Sequence, residues 1–314
     1  MHDILVIGAG PNGIYTFHSL KERFPDKKIS LIEKIDIVNS LKQYPNINWH
    51  SPCNELDIGD LKNNWSENHP KTEEVISYYH KFFKTKSLNF IKDEIKSIKK
   101  RGHHISLFGI KEKYNCKILI LATGIFDNKN SITNTPLPDY ASYNFPSLEL
   151  KNKNLVLVGG GNSAIDFVVS LLPHNNISWI IKGSNYTGSC ANPDHFKNFQ
   201  NIISKYKTNL SLYKENRIKK LNADKSITLT SGKVISDVDS CHMLTGYNGL
   251  SPLLLEAGAL FYNKFPAINE FNETSLKNIF VVGSLSSKHD EPIYIHNGNP
   301  SVINRMMSNI NERL

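Results

Sequence analysis

The sequence predicts an α/β protein built on two Rossmann-like dinucleotide-binding domains. Two observations carry this expectation. Residues 3–33 read as strand, glycine turn, helix, strand and terminal acid, and residues 155–173 repeat the strand, glycine turn and helix.

In the first unit, residues 4–7 are the short apolar run of a strand buried on both faces. Gly8-Ala9-Gly10-Pro11-Asn12-Gly13 follows as G-x-G-x-x-G. Its glycines permit a tight bend, close approach of a pyrophosphate, and close packing of helix on strand. The helix presents Ile14, Phe17, Leu20 and Phe24 on one face, offers its N-terminal N–H groups to an anion, and stops at Pro25-Asp26. Residues 29–32 form the next strand. Glu33, twenty positions after Gly13, is placed to accept hydrogen bonds from a ribose diol.

Residues 39–60 are rich in Asn, Pro and Ser and predict a long loop. Val75, Ile76, Tyr79, Phe82 and Phe83 stripe a helix over 72–86 and read as packing. Short alternations from 90 to 121, broken at Arg101-Gly102 and Gly109, predict an antiparallel meander ending in strand 118–121 and Ala122-Thr123-Gly124.

The second unit has strand 155–158, then Gly159-Gly160-Gly161-Asn162-Ser163-Ala164 with alanine in the third glycine position. Its helix carries Ile165, Val168, Val169 and Leu172 on one face and stops at Pro173. Strand 177–181 ends in Lys182-Gly183-Ser184, where the first unit ended in Glu33. A cation there suits a ribose 2′-phosphate, so the pair reads as FAD first and NADPH second. The alternative is a solvated Lys182 and NADH. A helix near 196–204 and strands 210–213, 226–230 and 238–244 complete the unit, which closes at Thr245-Gly246-Tyr247. Strand 278–284, ending in Gly283, and a helix in the tail 295–314, which opens with Asn297-Gly298, finish the chain.

The 314 residues carry a formal net charge of +8, spread along the chain, with a pI near 9.1. Lys96, Lys99, Lys100 and Arg101 form the densest basic group and read as a solvated strand end, so no nucleic acid is expected; an anionic cofactor or partner accounts for the charge. No apolar stretch reaches the roughly eighteen residues of a membrane span, and a strand begins within three residues of Met1. A cytoplasmic protein with no membrane partner is expected. Cys53, Cys116, Cys190 and Cys241 are scattered, with neither C-x-x-C nor metal-ligand spacing, which fits a reducing compartment and predicts no metal site.

The order of G-x-G-x-x-G with a terminal Glu, A-T-G, G-x-G-x-x-A, T-G-Y and a late apolar strand resembles the two-dinucleotide-binding-domain flavoproteins of thioredoxin-reductase size. Within them it is similar to the bacillithiol disulfide reductase family, through GAGPNG, IEK, YPNINWHSPCNELDIGD, ILATG, VGGGNSAID, TGY and FVVGSLSSKHDEPIYIHNGNP. The resemblance covers nearly the whole chain. It implies a second domain inserted into the first: FAD-binding 1–126 plus 248–314, NADPH-binding 127–247, and a homodimer. It places Gly8, Gly10, Gly13 and Glu33 on the ADP moiety of FAD. Gln43 and Thr123-Gly124 line the flavin, and backbone near Ile295 faces its ring. Pro11, Asn12, Lys34, Ala122, Gly283 and Ser284 complete the FAD set. Gly159, Gly161, Asn162, Ser163, Ala164, Lys182 and Gly246 form the NADPH set.

Three departures bear on the chemistry. The C-x-x-C with which thioredoxin reductases reduce a protein disulfide is missing. Asn12 stands where the bacillithiol-type family places a cysteine in the first turn, and Ser284 follows Gly283 where the wider superfamily usually has Asp. The shared step is hydride transfer from nicotinamide to flavin. The expected acceptor is a low-molecular-weight disulfide or another redox carrier, small molecule or protein. Cys53 and Cys190 are candidate lone redox thiols, with inert thiols as the alternative. A flavin-dependent monooxygenase using NADPH and oxygen is a second reading, suggested by G-N-S-A-x-D and Y-P-x-x-x-x-x-S-P but lacking F-x-G-x-x-x-H in residues 144–153. An NADPH-binding redox sensor with a decayed flavin site, and a reductase of ferredoxin-like or quinone acceptors, complete the set.

Overall fold

The computed structural model describes residues 1–58, 65–102, 104–133, 135–186, 193–287 and 300–314. Two compact units emerge. Met1–Gln43, Ser51–Asn128 and Tyr247–Leu314 form the first, and Tyr44–His50 with Lys129–Gly246 form the second.

In the first unit, strand β1 (His2–Ile7) buries Ile4, Leu5 and Val6 completely. Helix α1 (Pro11–Arg23) turns Ile14, Phe17 and Leu20 inward, and β2 (Ile29–Glu33) returns parallel to β1 with Val6 opposite Leu31. The stretch expected to be all loop contains a 3-10 turn, Leu41–Gln43, and helix α2 (Cys53–Leu56); elements this short leave no periodicity to read. Residues 59 and 60 of that stretch lie outside the described residues. Helix α3 (Thr72–Thr85) buries Val75, Tyr78, Tyr79 and Phe82. The strands β3 (Ile91–Lys92), β4 (Ile95–Arg101), β5 (His104–Gly109) and β6 (Lys113–Leu121) follow. The pairs β4–β5 and β5–β6 are the expected antiparallel meander, and β6 lies parallel to β1.

Asp93 pins this meander. Its buried carboxylate accepts from the N–H groups of Glu94, Lys111 and Glu112 and from the Tyr114 hydroxyl, at 2.8–3.2 Å. Burial alone would raise this carboxyl, but the four donors more than offset it and hold it below the ordinary carboxylate value.

In the second unit, β7 (Ala141–Ser142), β8 (Asn154–Val158), α4 (Asn162–Leu171), β9 (Asn176–Ile180), α5 (Pro193–Lys205) and β10 (Leu210–Tyr213) follow in order. Then come β11 (Ile218–Leu221), β12 (Ile227–Leu229), β13 (Val234–Ile235) and β14 (Ser240–Met243). A five-stranded parallel sheet runs β10-β9-β8-β14-β7, and β11-β12-β13 form a small antiparallel sheet. The sequence reading did not resolve β7, β11 or β13, because two to four residues show no usable alternation.

The chain then returns to the first unit through α6 (Pro252–Glu256), β15 (Phe261–Tyr262), β16 (Phe265–Pro266), β17 (Ile279–Val281) and α7 (Pro300–Asn311). The late strand β17 lies parallel to β6, with Ile279 opposite Leu119 and Val281 opposite Leu121. Asn297 and Gly298 lie outside the described residues. No described helix is long and apolar enough to cross a membrane.

Candidate cofactor-binding sites

The chain turns out of β1 at Gly8, whose φ of +100° favours glycine and whose Cβ would lie 2.6 Å from the Ala122 carbonyl oxygen. A Cβ on Gly13 would lie only 1.9 Å from the Gly8 carbonyl oxygen, so this glycine brings α1 against the turn. Gly10 differs, because a Cβ there meets nothing within 4 Å. It is the N-cap of α1, and no side chain caps that helix end and no acid lies in its first turn, so N–H groups remain for an anion. Glu33 is fixed beside them. Its Oε2 accepts from the Ala9 N–H at 2.8 Å and its Oε1 from the Ile35 N–H at 3.0 Å, leaving lone pairs for a ribose hydroxyl. The turn fits a dinucleotide pyrophosphate.

Residues far apart in sequence meet beside it, at the C-terminal ends of β1, β6 and β17. Gly124, at φ +64°, has the Ser284 Oγ 3.5 Å from where its Cβ would stand. Gly283, at φ +68°, is packed on Asn12, whose Nδ2 would be 2.9 Å from a Cβ. Ligands bind outside the carboxyl ends of strands in open α/β sheets. Thr123 lies between Ala122 and Gly124 at this edge, and Pro11 is the first residue of α1. Lys34 forms an ion pair with Asp127; burial alone would lower its ammonium, and the carboxylate more than offsets this and raises it. Gln43 is exposed at the end of its 3-10 turn, and Ile295 lies outside the described residues.

The second turn repeats the plan. Gly159, at φ +131°, leaves 2.2 Å between its would-be Cβ and the Leu244 carbonyl oxygen, whereas a Cβ on Gly161 meets nothing within 4 Å. Gly161 caps α4 without a side-chain acceptor, and the Asn162 Oδ1 is buried with no hydrogen-bond partner among the described residues. Ser163 is half-buried and Ala164 fully buried. The Trp179 indole donates to the Gly159 carbonyl at 2.6 Å, and its ring stacks on Tyr186 and meets Phe199 edge-on, which locks the turn from β9. These features fit a second dinucleotide.

Lys182 is exposed at the end of β9. The Glu215 and Asn216 N–H groups donate to the Gly183 and Ile181 carbonyls at 3.0 and 3.1 Å, bringing the loop after β10 alongside. Lys214 on that loop donates to the Asn185 Oδ1 at 3.2 Å. Sequence reading missed Lys214, because nothing local says that these two loops pair. Gly246, at φ +74°, accepts from the Asn130 N–H at 2.9 Å where the chain leaves the unit.

Cys53 opens α2, half-buried, with its Sγ 3.7 Å from the Asn68 Oδ1. Cys116 and Cys241 are buried within β6 and β14, and burial pushes each thiol up to about 12. Cys190 lies outside the described residues. The expectation of no metal-ligand set rested on cysteine spacing. The second unit nevertheless brings together His50, Asp166 and His195, residues too far apart in sequence for a spacing motif to show.

The model of the pyridine nucleotide-disulphide oxidoreductases matches residues 5–283. The ferredoxin–NADP reductase of Bradyrhizobium sp. (strain ORS 278) is 24% identical over 304 residues, covering 91% of this chain and 83% of that protein. Bacillithiol disulfide reductase Bdr (YpdA) from Staphylococcus aureus superposes with a TM-score of 0.88 at 23% identity, over 100% of this chain and 99% of that one. The Bacillus cereus Bdr (YpdA) gives 0.88 at 22%, with the same coverage. These structural likenesses carry the fold, and the match along residues 5–283 carries the kinship: the chain belongs to the pyridine nucleotide-disulphide oxidoreductase family, flavoprotein enzymes that use FAD and NADPH.

Proposed function

We propose that the chain takes reducing equivalents from NADPH, loads them onto FAD and delivers the electrons to a diffusible redox carrier rather than to a disulfide. A bound flavin would supply the capacity to take a hydride from nicotinamide and pass the electrons on. In this reading 1–126 with 248–314 is the FAD domain, apart from Tyr44–His50, which group with the second unit, and 127–247 the NADPH domain. The first turn and Glu33 hold the FAD ADP moiety. Asn12, Thr123, Gly124, Gly283 and Ser284 frame the flavin side, and Lys182 with Lys214 receives the 2′-phosphate of NADPH.

The placement of sulfur carries the choice of acceptor. Disulfide reduction needs a thiolate that attacks the substrate or is regenerated by the flavin. Asn12, not a cysteine, packs on Gly283 beside the first turn, and two of the three described cysteines are sealed in strands. A relative named as a ferredoxin–NADP reductase supports a protein carrier, and a net charge of +8 suits an acidic one. The expected homodimer and reducing cytoplasm belong to the same reading.

The test is anaerobic reduction of the enzyme by NADPH, followed by separate addition of an iron–sulfur carrier protein, a quinone, a small disulfide or oxygen, with flavin absorbance followed by stopped flow. Fast reoxidation by the protein carrier, and slow reoxidation by the disulfide that is indifferent to Cys53→Ser, is expected. Fast disulfide turnover that disappears in Cys53→Ser or Cys190→Ser would sink the reading.

A further inference from the structure

We infer that the second unit contains a divalent transition-metal site formed by His50, Asp166 and His195. Each ligand comes from a different element: His50 from the segment Tyr44–His50, Asp166 from the first half of α4, and His195 from the first turn of α5. The His50 Nε2 lies 2.9 Å and the His195 Nε2 2.8 Å from the same oxygen, Asp166 Oδ1. One donor atom from each residue lies within 4.8 Å of the other two.

Four physical points favour a cation here. Two imidazoles and a carboxylate are the donor set that Zn²⁺ and neighbouring first-row divalent ions take, with water completing the shell. With ligand bonds of about 2.0–2.1 Å, a tetrahedral ion holds its donors about 3.3–3.4 Å apart, so the two contacts at Asp166 need open by only about half an ångström. The imidazole rings stand edge to face, 4.9 Å between centroids and 89° between planes, so the two nitrogens reach the oxygen from different directions, as separate corners of a coordination shell require. The Asp166 side chain is only 7% exposed, and its ion pairs among the described residues are with these two histidines and with no Lys or Arg. A divalent ion would supply positive charge beside this buried carboxylate while leaving both imidazoles neutral, as ligands must be.

Asp166 stands on α4, the helix that starts at the second glycine turn, so the ion would clamp the segment Tyr44–His50 and the start of α5 onto the nucleotide-binding helix. Metal binding would then stabilise the second unit without taking part in electron transfer. Nothing in the FAD and NADPH roles above depends on it.

The test uses the tag-free, FAD-loaded enzyme, stripped with a chelator and dialysed, then titrated with Zn²⁺ by calorimetry and with Co²⁺ by visible absorption. One equivalent should bind per chain, with a ligand-field band for Co²⁺ and a higher melting temperature with Zn²⁺. His50→Gln and His195→Gln should each weaken binding at least about tenfold, while His174→Gln, elsewhere in the unit, should leave it unchanged. Non-saturating uptake by the wild type, or stoichiometric binding that survives in the His50→Gln/His195→Gln double variant, would overturn the assignment and leave a hydrogen-bonded cluster. The wild-type titration decides the matter even where a variant folds poorly.

Discussion

Two glycines three positions apart in the first turn should respond to the same substitution in opposite ways. At Gly10 the backbone is ordinary extended chain, φ −72° and ψ 176°, and an added Cβ meets no protein atom within 4 Å. Gly10→Ala should therefore leave the FAD-free protein as stable as the parent, or more stable by about 0.4–1 kcal/mol, since alanine has less freedom to lose on folding. The methyl group would stand where the pyrophosphate must approach. Losing one hydrogen bond to a charged phosphate costs about 1.5–3 kcal/mol, which is roughly ten- to a hundredfold in Kd, and the larger Gly10→Val should abolish binding. At Gly13 the added Cβ would sit 1.9 Å from a backbone oxygen, so Gly13→Ala must displace the turn itself. That should destabilise the FAD-free protein by about 1–3 kcal/mol or more. Thermal melts of the FAD-free proteins and FAD titrations by fluorescence quenching separate the two effects. If Gly10→Ala loses as much FAD-free stability as Gly13→Ala, or if Gly10→Val binds FAD like the parent, the assignment of open space at Gly10 to the cofactor is wrong.

Lys182→Ala should weaken NADPH about ten- to a hundredfold and leave NADH nearly unchanged, since only the 2′-phosphate contact is removed; equal losses in both coenzyme titrations would refute that role. Asp93→Asn should destabilise the first unit at neutral pH by about 1–3 kcal/mol, because an amide NH₂ replaces an acceptor facing two of the four donors. The Asp93 carboxyl is held below its ordinary value in the folded chain, so its contribution is complete above about pH 3.9 and is lost as pH falls through the folded value. The gap between parent and variant in urea midpoints should therefore shrink in acid, and a gap that widens there would contradict the assignment.

The two glycine turns, their helices and Glu33 were legible because each fits inside one short strand–turn–helix segment, where spacing alone fixes geometry. What lay beyond reach depends on pairing across the chain. Gly124, Gly283, Ser284 and Asn12 come together only because β17 pairs with β6, and Lys214 nears Lys182 only because β10 pairs with β9. His50 escaped notice for a related reason: it sits in a stretch read as a loop of the first unit, whereas residues Tyr44–His50 pack with the second, where the Tyr44 ring lies 4.6 Å from Phe145. Local pattern reports which face of an element is apolar and is silent on which element will cover it.

The pairing of β17 with β6 also sets an order of events during synthesis. Leu119, Ile120 and Leu121 leave the ribosome before the Lys129–Gly246 stretch that carries the strands of the second unit, while their partners Ile279, Phe280 and Val281 leave after it. The second unit can therefore complete its sheet while the first still presents an apolar, unpaired parallel edge. Such an edge is a template for another chain. The interval of greatest risk for misassembly falls between the emergence of β6 and that of β17, and a pause in elongation within the inserted unit would prolong it.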